Sequence, residues 1–545
     1  MKRVQHIILA GMASVLFPAG LLAQTQPQDS TLSRTVVVEQ EYNPDIMDAA
    51  KINVVPQVEP PVATQSAVEY DSRLVPAQNI PAATMQAYRG KEAFQKALPG
   101  YVRVGYGNYG NLDVRANYLF NLTNRDKLNL TFTMDGMDGS LDLPANAGKW
   151  DSYYYRTHAG IDYRHAFSKM DMNVAGHFDL SNFNFLPGSA DGKQKFTAGD
   201  VHLGFLSTDE DLPLQFRAET NLLLYERQHE LDWTNAREVI VRTKADVTGA
   251  LADNQSVGVA LGMDNAFYTN SLFKNYTSLE LNPYYQLKSD AWNLRLGAHV
   301  DLAFGFGKQF RVSPDVSVDY NFAEDFVLYL RAKGGRFQND FRRLETITPY
   351  GQLIGQPDAT YEQLNAALGL KAGFLPGIRF NLYGGYQNLK NDLYATNMPV
   401  SNGQILALSG WNTDNLYAGA EFSYDYKDLL ILSAYGIYRK WTASDNGENL
   451  GVLAYKPVAE GNVQLEVHPL QPLRVQVGFL NISRGSYAGT KVDPVSNLYL
   501  GGSYEIFKGI SAYVRANNLL NKNYQYYWGY PAEGISFVGG VSFRF

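Results

Sequence analysis

The last eleven residues, Ile535 to Phe545, constrain the fold more tightly than any other stretch. Ile535, Phe537, Gly539, Val541, Phe543 and Phe545 share one face of an extended chain. Ser536, Val538, Gly540, Ser542 and Arg544 share the other. Side chains alternate between the two faces of a strand, and setting Arg544 between two phenylalanines suits hydrocarbon on one side and water on the other. The same period of two recurs upstream. Val312, Pro314, Val316, Val318, Tyr320 and Phe322 alternate with Arg311, Ser313, Asp315, Ser317, Asp319 and Asn321. Leu364, Leu368 and Leu370 alternate with Asn365, Gly369 and Lys371, and Leu279 and Leu281 with Ser278 and Glu280. Charges on the polar face indicate a wet or protein-filled lumen rather than a dry core.

The N-terminus supplies an address. Lys2 and Arg3 precede an apolar stretch from Ile7 to Leu22, and Ala23 offers a small residue before a cut at Gln24. This is the pattern of a secretory signal peptide over residues 1–23, and Gly11, Ser14, Pro18 and Gly20 break it too often for a membrane anchor. With no cysteine there is no acylation site, disulfide framework or thiolate metal site. The net charge of −7 argues against a nucleic-acid partner. Mean hydropathy is negative, as in a barrel whose every second residue faces a polar lumen. The chain has 37 tyrosines, a residue that prefers the membrane–water boundary, where the ring is apolar and the hydroxyl stays wet; a soluble all-β secreted protein could share this composition.

Residues 24–98 form a polar segment punctuated by Pro27, Pro44, Pro56, Pro60, Pro61, Pro76 and Pro81, extended apart from one short helix expected near Met85–Leu98. From Pro99 the alternation holds to the end. Tight turns such as Asn124–Asp126, Phe167–Met170, Asp253–Gln255 and Phe507–Gly509 alternate with generally longer connections such as Leu186–Lys193, Arg342–Ala359, Thr396–Thr413 and Trp528–Gly534. Short periplasmic turns and longer outside loops mark outer-membrane barrels. The reading is all-β: a transmembrane antiparallel β-barrel of about 22 strands over 99–545, after a short, mostly irregular N-terminal segment. An even count puts both barrel ends in the periplasm.

One motif carries a family resemblance. Asn518-Leu519-Leu520-Asn521-Lys522-Asn523-Tyr524, then Gly529-Tyr530-Pro531 and Gly534, then a strand ending in Phe545, resembles the penultimate-strand signature of TonB-dependent outer-membrane receptors. That family carries an Asn-Leu-Phe-Asp-Lys-x-Tyr run, a Gly-Tyr-Pro-x-Pro-Gly-Arg run and a closing Phe. Ile535 stands here where its Arg is usual. The resemblance implies a 22-strand barrel, but residues 24–98 are too few for the family's N-terminal plug and lack its glycine-rich motifs. Thr35-Val36-Val37-Val38 reads either as a TonB-box-like segment able to pair with a partner's strand or as a β-prone patch in an extended segment. The partners implied are outer-membrane lipid, the barrel-assembly machinery acting on the C-terminal strand, and TonB or a surface lipoprotein.

Other constellations read as structure. Gly105-Tyr106-Gly107-Asn108-Tyr109-Gly110 matches a nucleotide-loop pattern, but an alternating stretch follows where a helix is needed, so it reads as a hairpin tip. Asp135, Asp138 and Asp142 miss the calcium-loop spacing. His158, His165, His177 and His202 lie on neighbouring strands and read as lumen or interface residues. Tyr153–Tyr155 and Tyr526–Trp528 read as aromatic belt or loop surface, with sugar stacking as the functional alternative. No catalytic, metal or cofactor site is expected. A lumen this wide must be filled by residues 24–98, by infolded outer loops or by another protein. Two functions then compete: transport of a solute across the outer membrane, and a plug-less structural or assembly scaffold in an outer-membrane complex.

Overall fold

The computed structural model describes residues 98–545, apart from 145–146, 190–191, 210, 230–233, 324, 402, 428, 445–451 and 488–489. The alternating stretches close into an antiparallel barrel of 22 strands. In chain order they are β1 (Gly100–Gly107), β2 (Leu112–Asn121), β3 (Asp126–Asp142), β4 (Lys149–Ala166), β5 (Met170–Asn184), β6 (Lys193–Ser207), β7 (Leu214–His229) and β8 (Thr234–Ala252). Then come β9 (Gln255–Thr269), β10 (Tyr276–Lys288), β11 (Trp292–Phe304), β12 (Phe310–Ala323), β13 (Phe326–Phe337), β14 (Thr360–Leu375), β15 (Ile378–Val400) and β16 (Gly403–Tyr426). The last six are β17 (Leu430–Ala443), β18 (Pro457–Leu470), β19 (Leu473–Arg484), β20 (Val495–Phe507), β21 (Ile510–Asn517) and β22 (Ser536–Arg544).

Each strand pairs with the next, and β22 returns to β1 in a register running from Tyr101–Arg544 to Gly107–Val538. Gly100 and Phe545 exchange backbone hydrogen bonds of 2.9 and 3.0 Å and seal the ring. The tight turns expected between the strands, such as Asn124–Asp126 and Phe507–Gly509, fall on the rim that holds both chain ends, the periplasmic rim of such a barrel. Among the described residues no helix is long and apolar enough to cross a membrane, and the strands do the crossing.

The two faces of the wall match the alternation. Phe537, Val541 and Phe543 face outward and are exposed, whereas Ser536, Val538 and Ser542 are buried on the lumen side. Val312 is 51 % exposed beside Ser313 at 2 %. Apolar residues outside and polar residues inside invert the order of a soluble protein, which is stable only with hydrocarbon around it.

Two expectations need correction. Thr396–Thr413 is not a loop: β15 and β16 continue through it as far as the paired Val400 and Gly403. Its alternation is masked because Ile405, Leu406, Ala407 and Leu408 are all buried, so both faces are covered by protein. Nor do all the tyrosines sit at the boundary. Tyr284, Tyr329 and Tyr383 are buried on the lumen wall, each directly across from a glycine on the neighbouring strand: Gly258, Gly369 and Gly419. A Cβ at Gly419 would lie 1.8 Å from Cζ of Tyr383, so the ring lies flat on the wall only because the partner has no side chain.

Candidate functional site

Segments of the chain fold over the outer mouth, and the first is the connection between β13 and β14. Within it Asp340 accepts a hydrogen bond from the backbone N–H of Arg343 at 2.8 Å and caps a short helix, α1 (Phe341–Ile347). Apolar residues at helical spacing, Phe341 and Leu344, turn inward and are fully buried. They pack in a cluster with Phe183, Phe196, Tyr225, Phe273, Leu393 and Leu406.

Polar contacts tie α1 to the wall. The Phe341 N–H donates to Glu238 of β8 at 2.7 Å. Tyr225 of β7 and Ser181 of β5 donate to the two carboxylate oxygens of Glu345 at 2.5 and 3.1 Å. Arg342 donates to the Gly199 carbonyl at 2.9 Å, and Arg227 to that of Gly351 at 2.6 Å. Burial pushes the Asp340 and Glu345 carboxyl groups above the ordinary carboxylate range, against the opposing pull of Arg242 on the first and of the Tyr225 and Ser181 hydroxyls on the second.

The second segment is the tall β15–β16 hairpin. It crosses the mouth to the β5–β6 connection, where the Gln404 N–H donates to the Gly188 carbonyl at 3.0 Å. Its inner edge also forms a two-residue parallel ladder with the first segment, Gly351 opposite Leu406 and Gln352 opposite Ala407. The third is the connection from β21 to β22. Tyr530 stacks on Tyr350 with centroids 3.6 Å apart and planes at 10°, and meets Trp150 edge-on at 5.6 Å.

The motif residues build this third segment. Asn518 is not on the penultimate strand but just after it, with φ +50°, a conformation Asn tolerates because its short polar side chain can bond locally. Its side chain donates to the carbonyls of Lys522 and Glu533, both at 2.9 Å, and accepts from the Lys522 N–H at 2.9 Å. The Leu519 N–H donates to the Leu498 carbonyl at 2.9 Å. Tyr524 is buried with Leu480, Ile482 and Val495. Gly529 makes a turn at φ +80°, and Pro531 pairs with Gln525. A Cβ at Gly534 would lie 2.9 Å from the Tyr109 hydroxyl. Phe545 closes the ring. Thr35–Val38 and the helix expected at Met85–Leu98 lie outside the described residues, save Leu98 itself, which is not helical.

Beneath the roof lies a chamber of about 580 Å³ whose lining includes Asp135, Arg156, His158, Arg342, Glu345 and Tyr350. Its floor meets the closing seam. There Asp113 accepts from Arg103 Nε at 2.8 Å, Arg115 Nε at 3.1 Å and the Tyr513 hydroxyl at 2.9 Å. On the side wall His158 and His177 present Nδ1 to Asp179 and Asp200 at 2.7 and 2.8 Å, with their rings stacked 5.7 Å apart. These are lumen histidines, while His165 bonds Asp126 at 2.6 Å near the periplasmic rim. Among the described residues no three His, Asp or Glu side chains gather as a metal ion would need. Asn108–Gly110 is the tip joining β1 to β2, as its sequence implies. Tyr154 and Tyr527 belong to the lumen and roof cluster rather than to an outer belt.

No family model and no curated protein matches the chain. Solved structures do. The FrpB iron transporter of Neisseria meningitidis superposes with a TM-score of 0.64 at 11 % identity, over 83 % of this chain and 81 % of that one. A mutant of the ferric enterobactin receptor PfeA of Pseudomonas aeruginosa gives 0.62 at 12 % identity over 82 % and 80 %. The copper transporter OprC gives 0.59 at 12 % identity over 82 % and 83 %. The fold of this chain is thus the outer-membrane barrel of the TonB-dependent receptors, which the run from Asn518 to Phe545 resembles.

Proposed function

We propose that the chain is a gated passage, moving a solute across the outer membrane through a lumen closed by its own outer segments. One observation carries this reading: a chamber lined by both charged and aromatic side chains lies directly beneath a roof made of helix, hairpin and loop. A ring of this size leaks unless something fills it, and the packing of the chain's own outer connections on one another supports closure from within. The fold likeness to iron and copper transporters and to a ferric enterobactin receptor supports transport over a purely structural role. In this reading Thr35–Val38 is the segment that would add as a strand to TonB on the periplasmic side, or a surface lipoprotein would supply the partner outside.

The test is conductance in planar bilayers. The intact protein is expected to be nearly silent, and a variant with residues 341–357 replaced by a short Gly-Ser linker to form a large, steady pore. If the shortened variant stays silent while fixed partners co-purify with the barrel, the gate reading fails and the scaffold reading replaces it.

A further inference from the structure

We infer that Tyr513 is a strap across the closing seam, a single side chain that ties β21 to β2 over both end strands and keeps the ring from parting there. A passage and a scaffold need a closed ring alike, so the strap is independent of the gated reading. The seam is where this wall is slightest. β1 and β21 have 8 residues and β22 has 9, whereas every other strand of the barrel has at least 10. β1 and β22 meet only from Tyr101–Arg544 to Gly107–Val538, whereas β15 and β16 stay together from Ile378–Tyr424 to Val400–Gly403. A ring opens most readily where the fewest ladder bonds hold it.

Fasteners cross that seam at three heights. On the periplasmic rim Gly100 and Phe545 exchange backbone hydrogen bonds, and the Phe545 ring packs on Tyr118 of β2 at 5.8 Å. On the outer rim the Asn108 side chain donates to the Ile535 carbonyl at 2.8 Å and accepts from the Phe537 N–H at 2.7 Å, carrying the ladder past the end of β1. Between them Tyr513 of β21, Gly540 of β22, Gly105 of β1 and Asp113 of β2 stand in one row. Both seam strands offer a glycine in that row, so the Tyr513 ring passes over bare backbone and its hydroxyl donates to Asp113 at 2.9 Å. A Cβ at Gly105 would land on that hydroxyl. Arg103 lies over the ring at 4.1 Å and donates to the same carboxylate at 2.8 Å, which pins the strap at its far end. Tyr513, Asp113 and Arg103 are all buried.

A second tyrosine shows what is particular to the seam. Tyr284 of β10 lies across Gly258 of β9, donates to Asp246 of β8 at 2.5 Å and carries Arg295 over its ring at 3.6 Å. The chemistry is the same, but β8, β9 and β10 follow one another in the chain, so Tyr284 joins strands that are already tethered. Tyr513 and Asp113 lie 400 residues apart, and no covalent link spans the seam between them. The same hydrogen bond that improves the fit of the wall at Tyr284 holds the ring closed at Tyr513.

Amide hydrogen exchange of the folded full-length chain in detergent micelles, read peptide by peptide, tests the strap. Tyr513→Phe keeps the ring and removes only the hydroxyl. Exchange over Tyr101–Gly107 and Val538–Arg544 should quicken about tenfold or more, the effect of losing one hydrogen bond to a charged group, while β9 and β10 keep the native rate. Gly105→Ala, which leaves the tyrosine in place and displaces its hydroxyl, should do the same. Tyr284→Phe should leave the seam at the native rate. Because the chain has no cysteine, Val102→Cys with Phe543→Cys, directly paired across the seam, places a single bridge there. Closing that bridge should return the seam of Tyr513→Phe to slow exchange, and reducing it should restore the fast rate. An unchanged seam in Tyr513→Phe overturns the strap. Exchange that quickens evenly around the barrel, or that stays fast with the bridge closed, also overturns it and leaves the hydroxyl as part of the general fit of the wall.

Discussion

Asp113 is 3 % exposed at the closing seam and holds together two guanidinium groups and a tyrosine hydroxyl. Removing one member of a buried charge cluster costs more than the cluster contributes, because the remaining charges stay buried. Asp113→Ala should lower stability by about 3–5 kcal/mol, measured as a shift in the urea midpoint of the barrel in detergent. Alternation along β1 and β2 places Arg103 and Asp113 on the lumen side, so their location is legible in the sequence. Their pairing is not, because it depends on the register across the hairpin, which the positive φ of Tyr109 and Gly110 sets. The motif from Asn518 onward is legible for the same reason in reverse. Its residues bond to near neighbours in sequence, so their spacing alone carries the shape.

At the scale of strands, tyrosine and glycine act as one device. Tyr499 opposite Gly478 and Tyr417 opposite Gly385 repeat the arrangement at Tyr383 and Gly419, each ring lying over the bare backbone across the ladder. Gly419→Ala should therefore destabilise by about 1–3 kcal/mol through overpacking, whereas Gly192→Ala, facing open space, should leave the melting temperature unchanged. Heat-modified mobility on gels distinguishes the two. Composition alone suggested tyrosines at the rims, since it cannot see which strand lies alongside. The helix α1 escaped notice for a related reason. Asp340 followed by Phe341, Leu344 and Ile347 does carry a cap and helical spacing, but seven residues inside a long polar connection make a weak signal.

For the whole molecule, strand number and orientation follow from turn chemistry and period, both local properties, so 22 strands could be counted before any contact was known. The roof could not, because its parts come from connections far apart in sequence. The exterior can be tested directly. Leu368 is 55 % exposed midway along β14, beside Ala367 at 5 % on the lumen side. Leu368→Arg should cost about 2–4 kcal/mol if its face meets hydrocarbon, read as the change in folding free energy into lipid vesicles.

The connection that carries α1 springs from the paired Phe337 and Thr360 on one arc of the circumference, while the helix rests on the arc carrying β5 to β8. A door hung on one jamb leaves its widest gap at the other. In the gated passage proposed above, cargo would arrive off the barrel axis, passing first along the histidine–aspartate side of the wall.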